Sequence, residues 1–162
     1  DEMISQPIDH LNMYSKSVRF TADVPTLPQA KQIAKEALEV NHIDGTQWLK
    51  EVERVQALHI KHQYQIIEIQ YFYINDYCLC GVPNEVMCEL ALDIAKSCPQ
   101  IYFAGYTNGC TGYLPTAKEY DKGGYEVLHS YLIYYIYWKT LMPLNRDTAE
   151  RLVNAVLKNI KK

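Results

Sequence analysis

Apolar residues recur along this chain with two periods, and each period predicts a different kind of element. Residues 17–24 alternate between apolar and polar positions and predict a strand. Two β-rich runs, at 64–74 and 77–82, flank an Asn-Asp pair that favours a tight turn, so they predict a β-hairpin. A short, fully apolar run at 101–106 predicts a further strand.

Four segments carry apolar residues at the spacing of an α-helix. We expect helices at about 28–40, at 45–58, at 85–97 and from Asn145, a predicted cap, to the C-terminal lysines. The fourth helix is the clearest, because its apolar positions follow the spacing i, i+3, i+4, i+7, i+8 and i+11. The positions expected to face inward are Ala30, Ile33, Ala34, Ala37, Leu38, Trp48, Leu49, Val52, Val55, Leu58, Val86, Leu90, Ala91, Ile94, Ala149, Leu152, Val153, Val156, Leu157 and Ile160.

The order of these elements predicts the fold class. Along the chain they run strand, two helices, hairpin, helix, strand, long loop and helix. This order predicts a mixed α/β (α+β) fold with a partly antiparallel sheet and flanking helices. We expect a single domain over residues 1–162, because the sequence contains no internal repeat, low-complexity segment or linker.

Composition and charge narrow the class of protein. Hydrophobic residues make up 48% of the 162 residues and charged residues 22%, which is typical of a globular chain. The formal net charge is −3 and the basic residues are dispersed, which argues against a nucleic-acid-binding face. No apolar run reaches the roughly 20 residues of a membrane span. The apolar run 131–138 predicts a buried element, most simply a strand; the alternative is an interfacial lip that takes up lipid.

The cysteines and histidines form no recognisable metal-binding pattern. None of the five cysteines belongs to a C-x-x-C pair, which argues against a structural zinc site of that kind. Cys78 and Cys80 should share one face of a strand, and we expect most of the cysteines to be buried. His59 and His62 have a spacing that could hold a metal on a helix, but they lie at a helix-to-strand junction. We therefore interpret this pair as surface histidines.

The segment 105–126 is the most distinctive part of the chain, since its 22 residues contain five glycines and four tyrosines. Glycine allows another group to approach the backbone closely, and tyrosine combines an apolar ring with a hydroxyl group. This composition predicts the wall of a binding site. The segment lacks the Gly-Lys-Ser/Thr ending of a P-loop and the spacing of a dinucleotide-binding motif, and the chain contains no G-x-S-x-G.

Two side chains at strand ends are candidates for chemistry. Glu85 follows the strand predicted at 77–82, and ligand sites in α/β folds favour the carboxyl ends of strands. The alternative is a carboxylate that merely stabilises the first turn of a helix. Tyr113 follows the strand at 101–106, with a ring that covers the core as its alternative. If these two strands are neighbours, Glu85 and Tyr113 emerge at the same edge of the sheet.

Three segments together resemble the neutral/alkaline (non-lysosomal) ceramidases. The first joins Glu68-Ile69-Gln70 to Val82-Pro83-Asn84-Glu85 and the helix that follows, where the family has an E-x-Q strand, a hairpin and P-[GA]-E. The second runs from Asn108 to Thr116 and is similar to the family's N-x-Y-x-x-Y-[IVL]-x-T. The third, Glu119-Tyr120 with Tyr125-Glu126, is similar to E-Y-x(4)-Y-E. The resemblance covers roughly residues 64–126.

The resemblance implies a reaction and a set of site residues. The family consists of zinc amidohydrolases that cleave the N-acyl amide bond of ceramide to sphingosine and a fatty acid. By this resemblance, zinc is held by two histidines of an N-terminal part together with Glu85 and Tyr113. Tyr125 matches a catalytic tyrosine near the scissile amide, suited to donate a hydrogen bond to the developing oxyanion.

The chain departs from the family in ways that shape this expectation. Asn84 stands where glycine or alanine is usual, Gly109-Cys110 replaces an aromatic residue, and the histidine-bearing half is absent from residues 1–162. The resemblance therefore implies the C-terminal portion of a longer enzyme, inactive alone and completed by the missing half or another chain. It also implies a ceramide-like lipid substrate, contact with a membrane surface and a secreted or periplasmic location. The alternative is a non-catalytic lipid- or protein-binding module, a degenerate fragment of the same fold.

Overall fold

A computed structural model describes residues 5–160 of the chain, which form six strands and six α-helices. The strands are Leu11–Asp23 (β1), His62–Ile74 (β2), Tyr77–Gly81 (β3), Glu85–Val86 (β4), Ile101–Ala104 (β5) and Tyr113–Leu114 (β6). The helices are Leu27–Asn41 (α1), Thr46–Ala57 (α2), Cys88–Ser97 (α3), the single turn Ala117–Tyr120 (α4), Tyr131–Trp138 (α5) and Thr148–Lys158 (α6). A π-helical turn, Tyr125–His129, precedes α5.

The main sheet has four strands in the order β1-β2-β3-β5. β1 and β2 are antiparallel over their full length, from Leu11 opposite Ile74 to Asp23 opposite His62. β2 and β3 form the predicted hairpin, and β3 pairs in parallel with β5 through the crossover helix α3. The prediction of a mixed, partly antiparallel sheet with flanking helices is therefore confirmed.

One face of the main sheet packs against α3 and α6. Alternate residues of a strand point to the same side, so the apolar inner positions form one continuous layer. This core contains Phe20, Ile67, Ile69, Tyr71, Cys78, Cys80, Leu90, Ile94, Leu152 and Val156. The buried Tyr71 hydroxyl donates a hydrogen bond to the Val156 carbonyl oxygen at 3.1 Å, which ties α6 to the sheet.

A second apolar cluster joins α1, α2 and α5. It contains Ala30, Ile33, Ala34, Ala37, Trp48, Val52, Val55, Leu132 and Leu141. The indole of Trp48 donates a hydrogen bond to the Leu141 carbonyl oxygen at 2.9 Å, so the ring is buried without losing its polar partner. The inward positions predicted for α1 and α2 are confirmed except for Leu38 and Leu58, which are exposed. Leu58 lies one residue beyond the end of α2, which explains its exposure.

Several predicted boundaries are wrong because tertiary pairing moves them. The first strand extends back to Leu11, because β2 offers it a partner along its whole length. The strand predicted at 101–106 ends at Ala104, and Tyr106 has a left-handed backbone with φ of 52°. Asn145 does not cap α6, which begins at Thr148. Its amide oxygen instead accepts a hydrogen bond from the Asp23 backbone NH at 3.2 Å.

The run 131–138 forms the helix α5 and not a strand. Tyr131, Leu132 and Trp138 are buried, whereas Ile136 and Tyr137 are among the most exposed apolar residues. The prediction of a buried element is thus right for one face of the run and wrong for the other. Eight apolar residues in succession carry no period, so the pattern alone could not distinguish a helix from a strand.

The cysteines and histidines divide between core and surface. Cys78 and Cys80 are buried side by side on the inner face of the sheet, as predicted. Cys88 and Cys110 are exposed and Cys98 is half-buried, so the expectation that most cysteines are buried is wrong. His59 and His62 are exposed, as interpreted from the sequence. Within residues 5–160, no helix has the length and apolar character needed to span a bilayer.

Candidate functional site

A small second sheet brings the two predicted strand-end residues together. β4 pairs in parallel with β6, and in this register Glu85 lies opposite Tyr113. Directly opposed residues of neighbouring strands project their side chains to the same side. The expected convergence therefore occurs, although on a two-stranded sheet beside the main one. Glu85 is extended and three residues before α3, so the predicted start of that helix at residue 85 is wrong. The alternative, a carboxylate in the first turn of the helix, is therefore wrong as well.

The loop between β5 and β6 is held in place by backbone hydrogen bonds to the segment that precedes β4. Three hydrogen bonds join it to residues 82–84: Tyr106 N to Asn84 O (3.0 Å), Thr107 N to Val82 O (2.9 Å) and Thr111 N to Pro83 O (2.7 Å). A fourth, from Glu85 N to Gly112 O at 3.0 Å, leads into the pairing of β4 with β6. The glycine-rich loop is therefore an ordered wall that follows the chain segment carrying Glu85.

Two glycines of this loop are required by close packing inside the protein. A Cβ atom on Gly105 would lie 2.5 Å from the Asn84 carbonyl oxygen. Gly112 has φ of +105°, and a Cβ there would lie 2.9 Å from the Trp138 ring. Side chains at these positions would collide with backbone or with a buried indole. The two glycines are therefore needed for the loop to pack closely against Asn84 and Trp138.

Two buried amide side chains fasten the loop just before β6. The Gln65 amide donates hydrogen bonds to the carbonyl oxygens of Thr111 at 3.0 Å and of Trp138 at 2.9 Å. The Asn84 amide donates to the Gly112 carbonyl oxygen at 3.3 Å. Because both side chains are buried, these bonds are shielded from competing water. They fix the position at which β6 begins.

Phenol groups surround the Glu85 carboxylate. The Tyr106 hydroxyl donates a hydrogen bond to Glu85 Oε2. Tyr113, directly across the small sheet, also interacts with this carboxylate. The Tyr125 ring meets the Tyr113 ring edge-on at 6.3 Å between centroids, and the Trp138 ring meets it at 6.1 Å. The three residues singled out from the sequence, Glu85, Tyr113 and Tyr125, therefore lie in one cluster.

The carboxylate and the partial burial of the rings keep these phenols protonated. The hydrogen bond to Glu85 raises the pKa of Tyr106 to about 12. Desolvation, followed by the charge of Glu85, raises the pKa of Tyr113 to about 12. The pKa of Tyr125 is raised by desolvation and then by its contact with Tyr134. At neutral pH the cluster is an anion surrounded by hydroxyl donors.

Tyr106, Tyr134 and Trp138 belong to this cluster but were missed by the sequence reasoning. Tyr134 and Trp138 are four residues apart and share a face of α5, with their rings 5.0 Å apart. A helical assignment for 131–138 would have indicated that shared face. Nothing in the sequence pattern identifies Tyr106, which reaches Glu85 through a left-handed backbone conformation.

An exposed apolar surface adjoins the phenol cluster. The side of α5 that faces away from the core presents Ile133, Ile136 and Tyr137 to solvent, next to Tyr134. The same helix therefore contributes aromatic rings to the cluster and an apolar rim beside it. This arrangement of a polar centre next to an exposed apolar surface suits an amphipathic ligand.

The cluster offers some of the donors that a metal ion needs. The Glu85 carboxylate and the Tyr113 phenol provide two oxygen donors on one side of the small sheet. Within the described range 5–160, no three His, Cys, Asp or Glu side chains are grouped so that they could hold a metal. His129 is buried elsewhere with its Nδ1 on Asn41, and His62 pairs with Asp23. A carboxylate oxygen is a common donor to zinc, and two oxygen donors are half of the four that a zinc ion usually has.

Comparison with known protein families, with curated proteins and with solved structures finds no match for this chain.

Proposed function

We propose that this chain is the C-terminal portion of a zinc-dependent amidohydrolase that resembles the neutral/alkaline ceramidases. The reaction is hydrolysis of the N-acyl amide bond of ceramide or a related lipid amide. One observation carries the proposal: Glu85 lies opposite Tyr113 in a two-stranded sheet, with the Tyr125 ring against Tyr113. These residues come from separate segments of the sequence that share a resemblance to that family, and they converge in space.

Each residue has a role that its surroundings support. Glu85 and Tyr113 provide oxygen donors for zinc, which when bound polarises a carbonyl group and lowers the pKa of a bound water. Desolvation, followed by the negative charge of Glu85, keeps the pKa of Tyr113 high, and a bound divalent cation would favour the phenolate instead. Tyr125 keeps its proton at neutral pH and can donate it in a hydrogen bond to a developing oxyanion.

The neighbouring side chains support this arrangement. Tyr106 donates to Glu85 and restrains the rotation of the carboxylate, as outer-shell groups do for metal ligands. Tyr134 contacts the Tyr125 hydroxyl and restrains its direction. The exposed apolar rim of α5 suits the hydrocarbon part of a lipid amide and contact with a membrane surface. The secreted or periplasmic location rests on the family resemblance alone.

The proposal assigns the remaining zinc donors to histidines of another polypeptide segment or chain. Two protein donors make a weak site, so we expect the isolated chain to be inactive. Imidazole in solution can take the place of the absent side chains. The first test is therefore calorimetric titration of the purified chain with Zn²⁺, with and without added imidazole.

We expect imidazole to strengthen Zn²⁺ binding, and Glu85→Gln or Tyr113→Phe to weaken it. The loss should be at least the roughly tenfold that removal of an outer-shell partner costs. Tyr102→Phe is the matched control, because Tyr102 is an exposed tyrosine on the main sheet. Equal Zn²⁺ affinity in Tyr113→Phe and the parent chain would refute the ligand role. In a polypeptide that also carries the histidine-bearing half, Tyr113→Phe should abolish amide hydrolysis.

A second candidate is a non-catalytic lipid- or protein-binding module. Two features favour it: the Glu85 carboxylate already has protein partners, and α5 exposes an apolar rim. Cosedimentation with phosphatidylcholine vesicles that contain ceramide distinguishes the two candidates. Vesicle binding that Ile136→Glu abolishes, and that ceramide, Zn²⁺ and Glu85→Gln all leave unchanged, supports the module. Binding that requires Glu85 and Zn²⁺ supports the enzyme.

A further inference from the structure

A cleft with a volume of about 840 Å³ lies at the junction of α1 with the π-helical turn that precedes α5. On one side of this α1 cleft are Gln29, Gln32 and Glu36 of α1, and on the other are Val127 and Leu128 of the turn. The volume falls in the range of roughly 300–1,000 Å³ that is typical of small-ligand sites. The side chains of the phenol cluster do not line the cleft, so it is distinct from the candidate zinc site.

Hydrogen bonds inside the protein hold the two walls of the α1 cleft in position. The backbone NH groups of Leu128 and His129 donate to the Gly124 carbonyl oxygen at 2.9 and 3.1 Å, which closes the π-helical turn. A hydrogen bond between His129 Nδ1 and Asn41 Oδ1 joins the turn to the last residue of α1. The cleft is therefore preformed, and π-helical turns are frequent at functional sites.

Apolar and acidic side chains line the α1 cleft together. The apolar ones include Ile33 of α1, Val127 of the turn and Met142. The charged residues that line it are Asp23 and Glu36, and within residues 5–160 no lysine, arginine or histidine does so. Low-dielectric walls that carry one sign of charge concentrate the field inside a cleft. The lining therefore complements a ligand that is both apolar and positively charged.

Glu36 is half-buried, and no basic side chain balances its charge. Its Oε1 accepts a hydrogen bond at 2.7 Å from the amide of Gln32, which is a neutral donor. Among residues 5–160, Glu36 takes part in no ion pair. Desolvation lowers the pKa of the neighbouring His129, so that imidazole is uncharged at neutral pH. The Glu36 carboxylate is therefore available to a cation in partly desolvated surroundings, where such an interaction is stronger than in open water.

Asp23 and Tyr120 extend the negative side of the cleft. Asp23 Oδ1 forms hydrogen bonds with His62 Nδ1 at 2.8 Å and with the Asn145 amide at 3.3 Å, which fix the direction of the carboxylate. Desolvation, followed by the charge of Asp23, raises the pKa of Tyr120. The phenol therefore stays neutral, and its ring is of the type that a cation contacts favourably.

We propose that the α1 cleft binds a small organic cation, namely a protonated primary amine with an apolar ring or chain. The ammonium group donates hydrogen bonds to Glu36, and Asp23 adds to the attraction. The apolar body lies against Ile33 and Val127. An anion is repelled by the two carboxylates, and a neutral ligand of the same shape gains only the apolar contacts. This site does not depend on the proposed function, since its occupation is measured without zinc or an amide.

NMR titration of the purified full chain tests the proposal, with the methyl signals of Ile33, Val127 and Leu128 as reporters. The probes are 2-phenylethylammonium and 2-phenylethanol, which have the same shape and differ in charge. Salt at about 0.15 M screens the general attraction of a cation to a chain of net charge −3. We expect the ammonium probe to bind in roughly the millimolar range, as a fragment-sized ligand should, and at least about fivefold more tightly than the alcohol.

Glu36→Gln should remove the preference for the ammonium probe and leave the affinity for the alcohol unchanged. Glu39→Gln is the matched control, because it removes the same charge from the same helix at an exposed carboxylate outside the cleft. The control should bind both probes like the parent chain.

Equal affinities of the parent chain for the two probes overturn the proposal and leave an apolar cleft without charge selectivity. Methyl signals that do not shift at up to about 20 mM ammonium probe, or shifts confined to other parts of the chain, overturn it as well. So does a preference that Glu36→Gln preserves or that Glu39→Gln reduces equally. The comparison of the two probes on the parent chain needs no variant, so it decides the proposal even if Glu36→Gln fails to fold.

Discussion

The Glu85 carboxylate sets the protonation of the phenols around it. Tyr106 donates to it directly, whereas Tyr113 lies opposite it and owes its raised pKa first to desolvation. The two phenols should therefore respond differently when the charge is removed. Substitution of Glu85 therefore tests its effect on the pKa of Tyr106 and of Tyr113 separately.

The first prediction concerns Glu85→Gln. Without the carboxylate charge, the phenolate of Tyr106 is no longer disfavoured, so its pKa should fall from about 12 towards the ordinary value of 10. The pKa of Tyr113 should fall less, because desolvation remains. Titration of the tyrosine ring signals by NMR measures both. Glu89→Gln, which removes the same charge from α3, is the control. A Tyr106 titration that is identical in the two variants would contradict the prediction.

At the scale of elements, β4 and β6 depend on their surroundings. Strands of two residues are far too short to be stable alone. They are held by the loop that precedes β6 and by the packing of Trp138 against Gly112. The short sheet that aligns Glu85 with Tyr113 is therefore only as rigid as those contacts.

The second prediction compares Gly112→Ala with Gly124→Ala. Both glycines have positive φ, at +105° and +86°, a region that side-chain-bearing residues rarely adopt, so each substitution should cost about 1–3 kcal/mol in backbone strain. A Cβ at Gly124 meets no atom within 4 Å, whereas one at Gly112 also collides with the Trp138 ring. Gly112→Ala should therefore lose a further about 1–3 kcal/mol from overpacking. Urea denaturation measures the free energy of unfolding of both variants. Equal losses would contradict the prediction, because they would show that the Trp138 ring moves aside without cost.

At the scale of the whole molecule, buried tyrosines link stability to alkaline pH. Desolvation raises the pKa of Tyr71 in the sheet core and of Tyr131, the first residue of α5. Above about pH 10 the unfolded chain loses phenol protons that the folded chain still holds. Deprotonation therefore stabilises the unfolded state and not the folded state above about pH 10, so the free energy of unfolding falls as pH rises.

The third prediction is that the unfolding free energy is steady between about pH 8 and about pH 10 and declines above that range. Tyr71→Phe should make the decline shallower, because one of the two buried phenols with a strongly raised pKa is gone. At neutral pH the same variant should be about 1 kcal/mol less stable, because it lacks the hydrogen bond to the Val156 carbonyl oxygen. Urea midpoints at a series of pH values measure both effects, with Tyr102→Phe as the control. A parent chain of constant stability up to about pH 11 would contradict the linkage.

Local sequence patterns were sufficient for much of the fold. The alternation in β2 and the 3.6-residue period in α6 each depend on neighbours within one element, so the four strands of the main sheet and the helices α1, α2, α3 and α6 were predicted in the right order. The hairpin turn was predictable for the same reason. The short elements β4, β6 and α4 were not predicted. The run 131–138 was not predicted to be a helix, because its uniform apolar character fits either a helix or a strand. Packing of Leu132 against α2 and of Trp138 against Gly112 selects the helix.

The candidate site was predictable in part. Glu85, Tyr113 and Tyr125 follow from strand ends and from the family resemblance, and the structure brings all three together. Tyr106 required the tertiary structure, because its contact with Glu85 spans 21 residues and a backbone conformation that no local pattern signals. The roles of these residues in catalysis stay predictions.

The sequence by itself determined the periodicity of the elements, the turn between β2 and β3, and the types of side chain available for chemistry. These depend on interactions between residues that are close along the chain. Only the tertiary structure decided the pairing of β4 with β6, the phenols that reach Glu85, and which face of the main sheet is exposed. Those features depend on contacts between distant segments, and their energies are distributed over many weak interactions that no short stretch of sequence contains.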